Sequence, residues 1–93
     1  DGLKVSRSKP DPEVFLTAAK GIEMLPENCI VFEDSIKGLE AAVRAGMHTV
    51  GIGMDPVLSA AQLAIPDFTS ISAKEVIEWF DTSNKISKGE IVL

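Results

Sequence analysis

The chain has 93 residues, of which 45% are hydrophobic and 25% are charged, and its formal net charge is −5. This composition is too apolar for a disordered segment and predicts one small globular unit. The acidic balance and the lack of a Lys/Arg cluster argue against a nucleic-acid partner. No apolar run approaches the roughly 18 residues that a membrane helix needs, so we expect no membrane partner. A single cysteine, Cys29, cannot form an internal disulfide, which favours a reducing, cytoplasmic compartment.

The first part of the chain predicts a stiff turn that leads into a helix. After a weak strand at residues 3–5, Lys9 stands before a turn bracketed by Pro10 and Pro12. Pro10 biases Lys9 toward extended backbone. Asp11 suits an N-cap, and Pro12 suits the first position of a helix. The predicted helix spans residues 12–21, with these apolar residues on one face: Val14, Phe15, Ala18, Ala19 and Ile22. The turn would hold the Lys9 ammonium in one place, as a point charge that suits a phosphate group.

An apolar run that ends in two carboxylates is the most informative feature of the sequence. Residues 29–32 predict a buried parallel strand, and Glu33 and Asp34 follow at its carboxyl end. In open α/β sheets this edge binds ligands, and Mg²⁺ prefers hard oxygen ligands from one or two carboxylates. On spacing alone the two acids are equally consistent with solvated residues near the start of the next helix, where the helix dipole favours negative charge.

The rest of the chain alternates predicted helices and strands. We expect a helix over 36–45 that Ser35 caps and Gly46 ends, a strand over 48–52, a helix over 57–64, a short strand over 67–69, and a helix over 72–80 that begins with a capping box. The residues expected to face inward from the first and last of these helices are Ile36, Leu39, Ala42, Val43, Val76, Ile77 and Phe80. Residues 91–93 are consistent with a terminal strand or a loose tail. The alternation predicts a parallel sheet with right-handed crossovers. His48 has no ligand pattern beside it, so we expect a structural role.

Two motifs carry a resemblance to a known family. The first is Ser8-Lys9-Pro10-Asp11-Pro12 with Phe15, and the second is Glu33-Asp34-Ser35, followed by Gly38, Ala41, Ala42, Ala45 and Gly46. In residue type, order and spacing they resemble the haloacid dehalogenase (HAD) superfamily of phosphotransferases, and most closely its β-phosphoglucomutase-like branch of phosphatases and phosphohexomutases. The resemblance implies an α/β fold, the three-layer Rossmann-like HAD core with a parallel sheet.

The same resemblance implies a reaction and a role for each site residue. The reaction would be Mg²⁺-dependent phosphoryl transfer through an aspartyl-phosphate, on a small phosphorylated metabolite such as a sugar phosphate. Lys9 would be catalytic and phosphate-binding, since it would neutralise the phosphoryl oxygens and the nucleophile. Asp34 would be a magnesium ligand, and Glu33 a second acidic contact to the metal or its waters. Phosphatase, mutase and pyrophosphatase reactions stay open, whereas the dehalogenase branch suits this setting of metal and phosphate less well.

The chain departs from the family pattern in what it lacks. The sequence contains no D-x-D segment, which carries the nucleophile in this family. We therefore expect residues 1–93 to be the C-terminal portion of a HAD-like core domain, a fragment without the first strand and the cap, and inactive alone. A non-catalytic response-regulator-like binding domain is an alternative, although its lysine would follow the acidic pair instead of preceding it. A structural fragment with no activity of its own is another.

Overall fold

The computed structural model describes residues 9–69, 71–82 and 90–92, which form a parallel sheet with helices on both faces. The helices are α1 (Glu13–Gly21), α2 (Ile36–Arg44) and α3 (Ala73–Thr82), and the strands are β1 (Cys29–Glu33), β2 (His48–Ile52), β3 (Leu63–Ile65) and β4 (Glu90–Val92). The four strands lie in the order β3-β2-β1-β4, and every pairing is parallel. The predicted α/β fold is confirmed. The strand expected at residues 3–5 lies outside the described residues.

Strand β1 lies in the interior of the sheet and is buried along its whole length. Side chains alternate between the two faces of a strand. Cys29 and Val31 therefore pack in one apolar cluster with residues of α1 and α2. Ile30 and Phe32 pack in a second cluster with residues of α3. The result is three layers, with α1 and α2 on one face of the sheet and α3 on the other.

Helix α2 begins and ends as the sequence predicts, but its buried face is rotated. The Ser35 hydroxyl accepts a hydrogen bond from the backbone N–H of Gly38 at 3.1 Å, which is an N-cap. Gly46 ends the helix with φ +79°, a conformation that favours glycine. The expected inward face was wrong at its margins, because Ile36 and Val43 are exposed. Ala41 is buried instead, and its small side chain lets the helix lie close against the sheet.

Helix α1 begins one residue later than predicted, at Glu13. The backbone N–H of Glu13 donates to Asp11 Oδ1 at 2.9 Å, so the Asp11 carboxylate still satisfies an N–H group at the start of the helix. Phe15 and Ala19 are buried as expected. Ile22 is exposed, because the helix ends at Gly21 and the chain turns away.

The segment after β2 is where two predicted elements are wrong. A short 3₁₀ turn, Pro56–Ala60, replaces the helix expected over 57–64, and strand β3 follows it. Gln62 is tied to β2, since its N–H donates to Thr49 Oγ1 at 3.0 Å and its Oε1 accepts from Thr49 N at 2.9 Å. These bonds bring the following residues into register with β2. The strand expected over 67–69 is a turn, in which Thr69 N donates to Asp67 Oδ1 at 2.8 Å.

The last described elements agree with the predicted pattern. Ser72 and Glu75 form the expected capping box, with Glu75 N donating to Ser72 Oγ at 3.2 Å and Ser72 N donating to Glu75 Oε1 at 3.3 Å. Val76 and Phe80 are buried, while Ile77 is only half-buried. Strand β4 pairs with β1, so the terminal strand is present rather than the loose tail. None of the helices in the described part of the chain is long and apolar enough to cross a bilayer.

Candidate active site

The two motif segments meet at the carboxyl end of β1. Lys9 Nζ donates to Glu33 Oε2 at 2.7 Å, although 24 residues separate them. The Glu33 side chain is 9% exposed and the Lys9 side chain 37% exposed. A charge-assisted hydrogen bond of this length is among the stronger polar contacts in proteins. The pair therefore joins the start of α1 to the end of the central strand.

Lys9 is held by an aromatic ring as well as by the carboxylate. Its Nζ lies 5.1 Å from the centroid of the Phe15 ring, within the range of a cation–π interaction. Phe15 is buried on the first turns of α1, against the sheet. The peptide bond between Lys9 and Pro10 is cis. The stiff turn expected before the helix is thus backed by a packed ring, which limits where the ammonium can lie.

Glu33 is fixed at both carboxylate oxygens. Ser35 Oγ donates to Oε1 at 3.4 Å, while Lys9 takes Oε2. The same Ser35 hydroxyl accepts the N–H of Gly38 as the cap of α2. The cap and the carboxylate therefore belong to one connected set of hydrogen bonds, and the start of α2 orients Glu33.

Asp34 stands apart from this set. It is exposed, and among the described residues it has no hydrogen-bond or ion-pair partner. It is one of the residues that line a depression of about 380 Å³, together with Phe32, Glu33, Ile52 and Phe68. The rings of Phe32 and Phe68 lie 5.4 Å apart and form an apolar wall. Asp34 thus presents a solvated carboxylate beside a buried one.

The donor chemistry of this edge fits part of a magnesium site. The described residues hold no group of three or more His, Cys, Asp or Glu side chains that could enclose a metal ion. Magnesium commonly takes only one or two carboxylates and completes its shell with waters and phosphate oxygens. A carboxylate offers about four lone-pair positions, and Lys9 and Ser35 use two of those on Glu33. Glu33 and Asp34 together therefore supply the number and kind of protein oxygens that such an ion needs.

Comparison with known proteins identifies the family. A sequence model described as haloacid dehalogenase-like hydrolase matches residues 2–52, more than half of the chain. The chain belongs to the haloacid dehalogenase-like hydrolase family. The matched stretch contains the Lys9 turn, the Glu33-Asp34 pair and all of α2. The resemblance inferred from the two motifs is confirmed.

Relatives of this family member include both mutases and phosphatases. Beta-phosphoglucomutase of Bacillus subtilis is 37% identical over 65 residues, which cover 70% of this chain and 29% of that protein. Validoxylamine A 7′-phosphate phosphatase of Streptomyces hygroscopicus subsp. limoneus is 40% identical over 70 residues, or 72% of this chain and 33% of that protein. The crystal structure of beta-phosphoglucomutase from Clostridium difficile superposes with a TM-score of 0.79 and 33% identity, over 90% of this chain and 38% of that one. The chain thus spans about a third of the length of each of these three relatives.

Sequence reasoning found Lys9, Glu33, Asp34 and the Ser35 cap, but it missed the contacts that Phe15 and Gly38 make with the Lys9–Glu33 pair. Phe15 was assigned to the apolar face of the first helix and to the first motif, but not to the contact that its ring makes with the Lys9 ammonium. Gly38 was noted only as part of a motif, although Glu33 packs directly over it. The available signal was helical spacing, which places Gly38 three residues after the cap.

His48 lies at the amino end of β2, where its Nδ1 is 3.1 Å from Gln62 Oε1.

Proposed function

We propose that this chain supplies part of the active site of a magnesium-dependent phosphoryl-transfer enzyme that acts through an aspartyl-phosphate. The observation that carries the proposal is the 2.7 Å contact between Lys9 Nζ and Glu33 Oε2, which unites the two motifs at one sheet edge. The substrate class is a small phosphorylated metabolite such as a sugar phosphate. The buried Cys29 thiol supports a cytoplasmic setting. Family membership supports this reading over a response-regulator-like binding domain.

Each site residue has a separate task in this proposal. The Lys9 side chain is more than a third exposed, so its ammonium can contact a phosphoryl group while it stays hydrogen-bonded to Glu33. Asp34 is the direct magnesium ligand, because its carboxylate is solvated and has no partner among the described residues. Glu33 is the second acidic contact, reaching the metal or its waters with the lone pairs that Lys9 and Ser35 leave. Magnesium, when bound, neutralises charge on the transferring phosphoryl oxygens.

The nucleophile of the proposed reaction must come from residues outside this sequence, which has no D-x-D segment. The described ladder between β4 and β1 joins only Cys29, Ile30 and Val31 to β4. Among the described residues none pairs with Phe32 or Glu33 on that side. A nucleophile-bearing segment would have to reach the carboxyl end of β1, where Glu33 binds Lys9. We accordingly expect the 93-residue chain alone to be inactive.

The choice between phosphatase and phosphohexomutase rests on the acceptor of the phosphoryl group. A phosphatase passes it to water, whereas a mutase returns it to another hydroxyl of the sugar. Incubating the enzyme with a sugar 1-phosphate and measuring both inorganic phosphate and the isomeric sugar phosphate separates the two. The chain is similar both to a phosphoglucomutase and to a phosphatase, so formation of either product supports the proposed phosphoryl-transfer activity.

The residue roles are tested in a protein that joins this chain to a nucleophile-bearing segment. Asp34→Asn and Lys9→Met should each lower Mg²⁺-dependent phosphate release by about 100-fold or more, since losing a metal ligand or a neutralising charge costs roughly 3 kcal/mol of transition-state stabilisation. Asp81→Asn and Lys20→Met alter exposed residues on α3 and α1 and serve as matched controls. Near-normal rates in both site variants, or steady turnover by the 93-residue chain alone, would contradict the proposal.

Magnesium binding can be measured without turnover. Titration of the chain with MgCl₂, followed by amide chemical shifts, should perturb Asp34 and Ser35 first, because both lie at the proposed metal edge. Asp34→Asn should remove these shifts, and Asp81→Asn should leave them. Equal shifts in the wild-type chain and in Asp34→Asn would show that the metal binds elsewhere.

A further inference from the structure

We propose that Gly38 is a positioning residue for the Lys9–Glu33 pair, because its missing Cβ leaves the space in which the Glu33 carboxylate lies. This inference rests on the proposed function for its relevance to phosphoryl transfer. A Cβ built on Gly38 would stand 2.1 Å from Glu33 Oε1, 2.2 Å from Cδ and 2.6 Å from Cγ. These separations are far inside van der Waals contact, so any side chain at position 38 would displace something.

The Glu33 side chain is the part that would move. The backbone of β1 is held between two strands and buried on both faces. Packing also opposes a shift of helix α2, because Ala41 and Ala42 lie in one apolar cluster with Cys29 and Val31 of β1. The three atoms that would clash all belong to the flexible end of Glu33. A methyl group at position 38 would therefore rotate the carboxylate away, and its hydrogen bonds to Lys9 and Ser35 would be lost.

Local backbone conformation does not explain the glycine. Gly38 lies inside the first turns of α2, and its φ is not in the left-handed region that favours glycine. The hydrogen bond from its N–H to Ser35 Oγ is available to any residue except proline. Glycine in a helix is less favourable than alanine. The feature that favours glycine here is the carboxylate packed over its Cα.

The test compares Gly38→Ala in two backgrounds, and neither measurement uses turnover. In the wild-type chain the substitution should lower the midpoint of thermal unfolding. In a Glu33→Ala background it should raise the midpoint, by on the order of 5 °C, because the space is vacant and only the helix propensity of alanine remains. Gly21→Ala is the matched control, since a Cβ there meets no atom within 4 Å. Its effect should be the same in both backgrounds.

A second readout reports on the site directly. The ¹⁵N-labelled ammonium of Lys9 should give a slowly exchanging signal in the wild-type chain, which Gly38→Ala abolishes and Gly21→Ala preserves. An unchanged Lys9 signal in Gly38→Ala, or the same change of midpoint for Gly38→Ala in both backgrounds, would overturn the inference. If the single variant Gly38→Ala does not fold, the comparison uses the double variant Glu33→Ala/Gly38→Ala. A double variant that is more stable than Glu33→Ala supports the inference, and one that is less stable refutes it.

These outcomes are distinguishable from those of the proposed function. If the two backgrounds give the same change while Lys9 and Asp34 variants lose activity, the positioning role of Gly38 is wrong and the phosphoryl-transfer site stands. If Gly38→Ala lowers the unfolding midpoint in the wild-type chain and raises it in Glu33→Ala, while the Lys9 and Asp34 variants keep full activity, then Gly38 does position the pair. The pair would in that case not serve phosphoryl transfer.

Discussion

Removing either charge of the Lys9–Glu33 ion pair should lower the stability of the protein, but by unequal amounts. Lys9→Met removes the charge but keeps an apolar stem, and leaves a carboxylate that is 9% exposed without its cation. Glu33→Gln removes the other charge with little change of shape, and leaves an ammonium that is 37% exposed and can be solvated. We expect Lys9→Met to be the more destabilising, because the partner it strands is the more deeply buried one.

The magnitudes follow from distance and burial. At 2.7 Å and an effective dielectric constant of about 20, the gross Coulomb attraction is about 6 kcal/mol, most of which desolvation offsets. Breaking a fully buried pair costs about 3–5 kcal/mol, and an exposed pair contributes about 0–1 kcal/mol. Because one partner is partly solvated, we expect Lys9→Met to lower the free energy of unfolding by about 2 kcal/mol and Glu33→Gln by about 1 kcal/mol. The double variant should lose about as much as Glu33→Gln alone.

Urea unfolding followed by circular dichroism measures the free energy of unfolding of the wild-type chain, the two single variants and the double variant. The comparison holds provided that the slope of free energy against urea concentration is the same in all four. Lys20→Met is the matched control, because Lys20 is exposed at the end of α1 and has no acidic partner among the described residues. It should change stability by less than about 0.5 kcal/mol. If the Lys9 and Glu33 effects add to within about 0.5 kcal/mol, the two charges are not coupled and the pair does not hold the site together.

Two further predictions concern residues near this edge. The hydroxyl and then the backbone N–H of Thr69 hold the pKa of the exposed Asp67 below its ordinary value of 3.8, so Thr69→Val should raise that pKa in an NMR titration. The stabilisation linked to this lowered pKa is present above the unfolded-state pKa and is lost as the pH falls through the folded-state pKa. An unchanged pKa of Asp67 in Thr69→Val would contradict the role given to the Thr69 hydroxyl. Gly51→Ala should lower the free energy of unfolding by about 1–3 kcal/mol, because its Cβ would lie 2.9 Å from both Cβ and O of Leu58. Gly21→Ala, whose Cβ meets nothing within 4 Å, is its control, and equal denaturation midpoints for the two variants would contradict the packing argument.

The parts of the fold that could be predicted are those in which local pattern and tertiary packing agree. Residues 48–52 form the predicted strand, between the glycine that ends α2 and the turn that follows Gly53. Residues 57–64 carry a helical pattern, yet the hydrogen bonds between Gln62 and Thr49 bring the last two of them, 63 and 64, into the sheet as part of β3. Partners that are 13 residues apart leave no signal in a local window, so tertiary pairing overrode the local pattern there.

The candidate site could be predicted in its composition but not in its contacts. Topology alone brings Lys9 and the acidic pair to one edge, since the turn before α1 and the end of β1 face the same side. Which carboxylate receives Lys9 depends on side-chain direction, which the spacing of the two motifs does not specify. The structure brings Lys9 to Glu33 and leaves Asp34 exposed. The metal roles proposed for both acids stay predictions, and the magnesium titration tests that of Asp34.

The choice of Glu33 follows from the alternation of side chains along β1. Glu33 has the same parity as Cys29 and Val31, so it continues the row that faces α1 and α2. Lys9 enters that layer just before α1, with Phe15 beneath its ammonium. Asp34 is the first residue beyond the strand and escapes this constraint, so it reaches solvent. Adjacent carboxylates thus differ in burial because one completes a strand and the other leaves it. In the proposed site, this difference would let Glu33 hold the Lys9 ammonium while Asp34 stays open to a metal ion and to water.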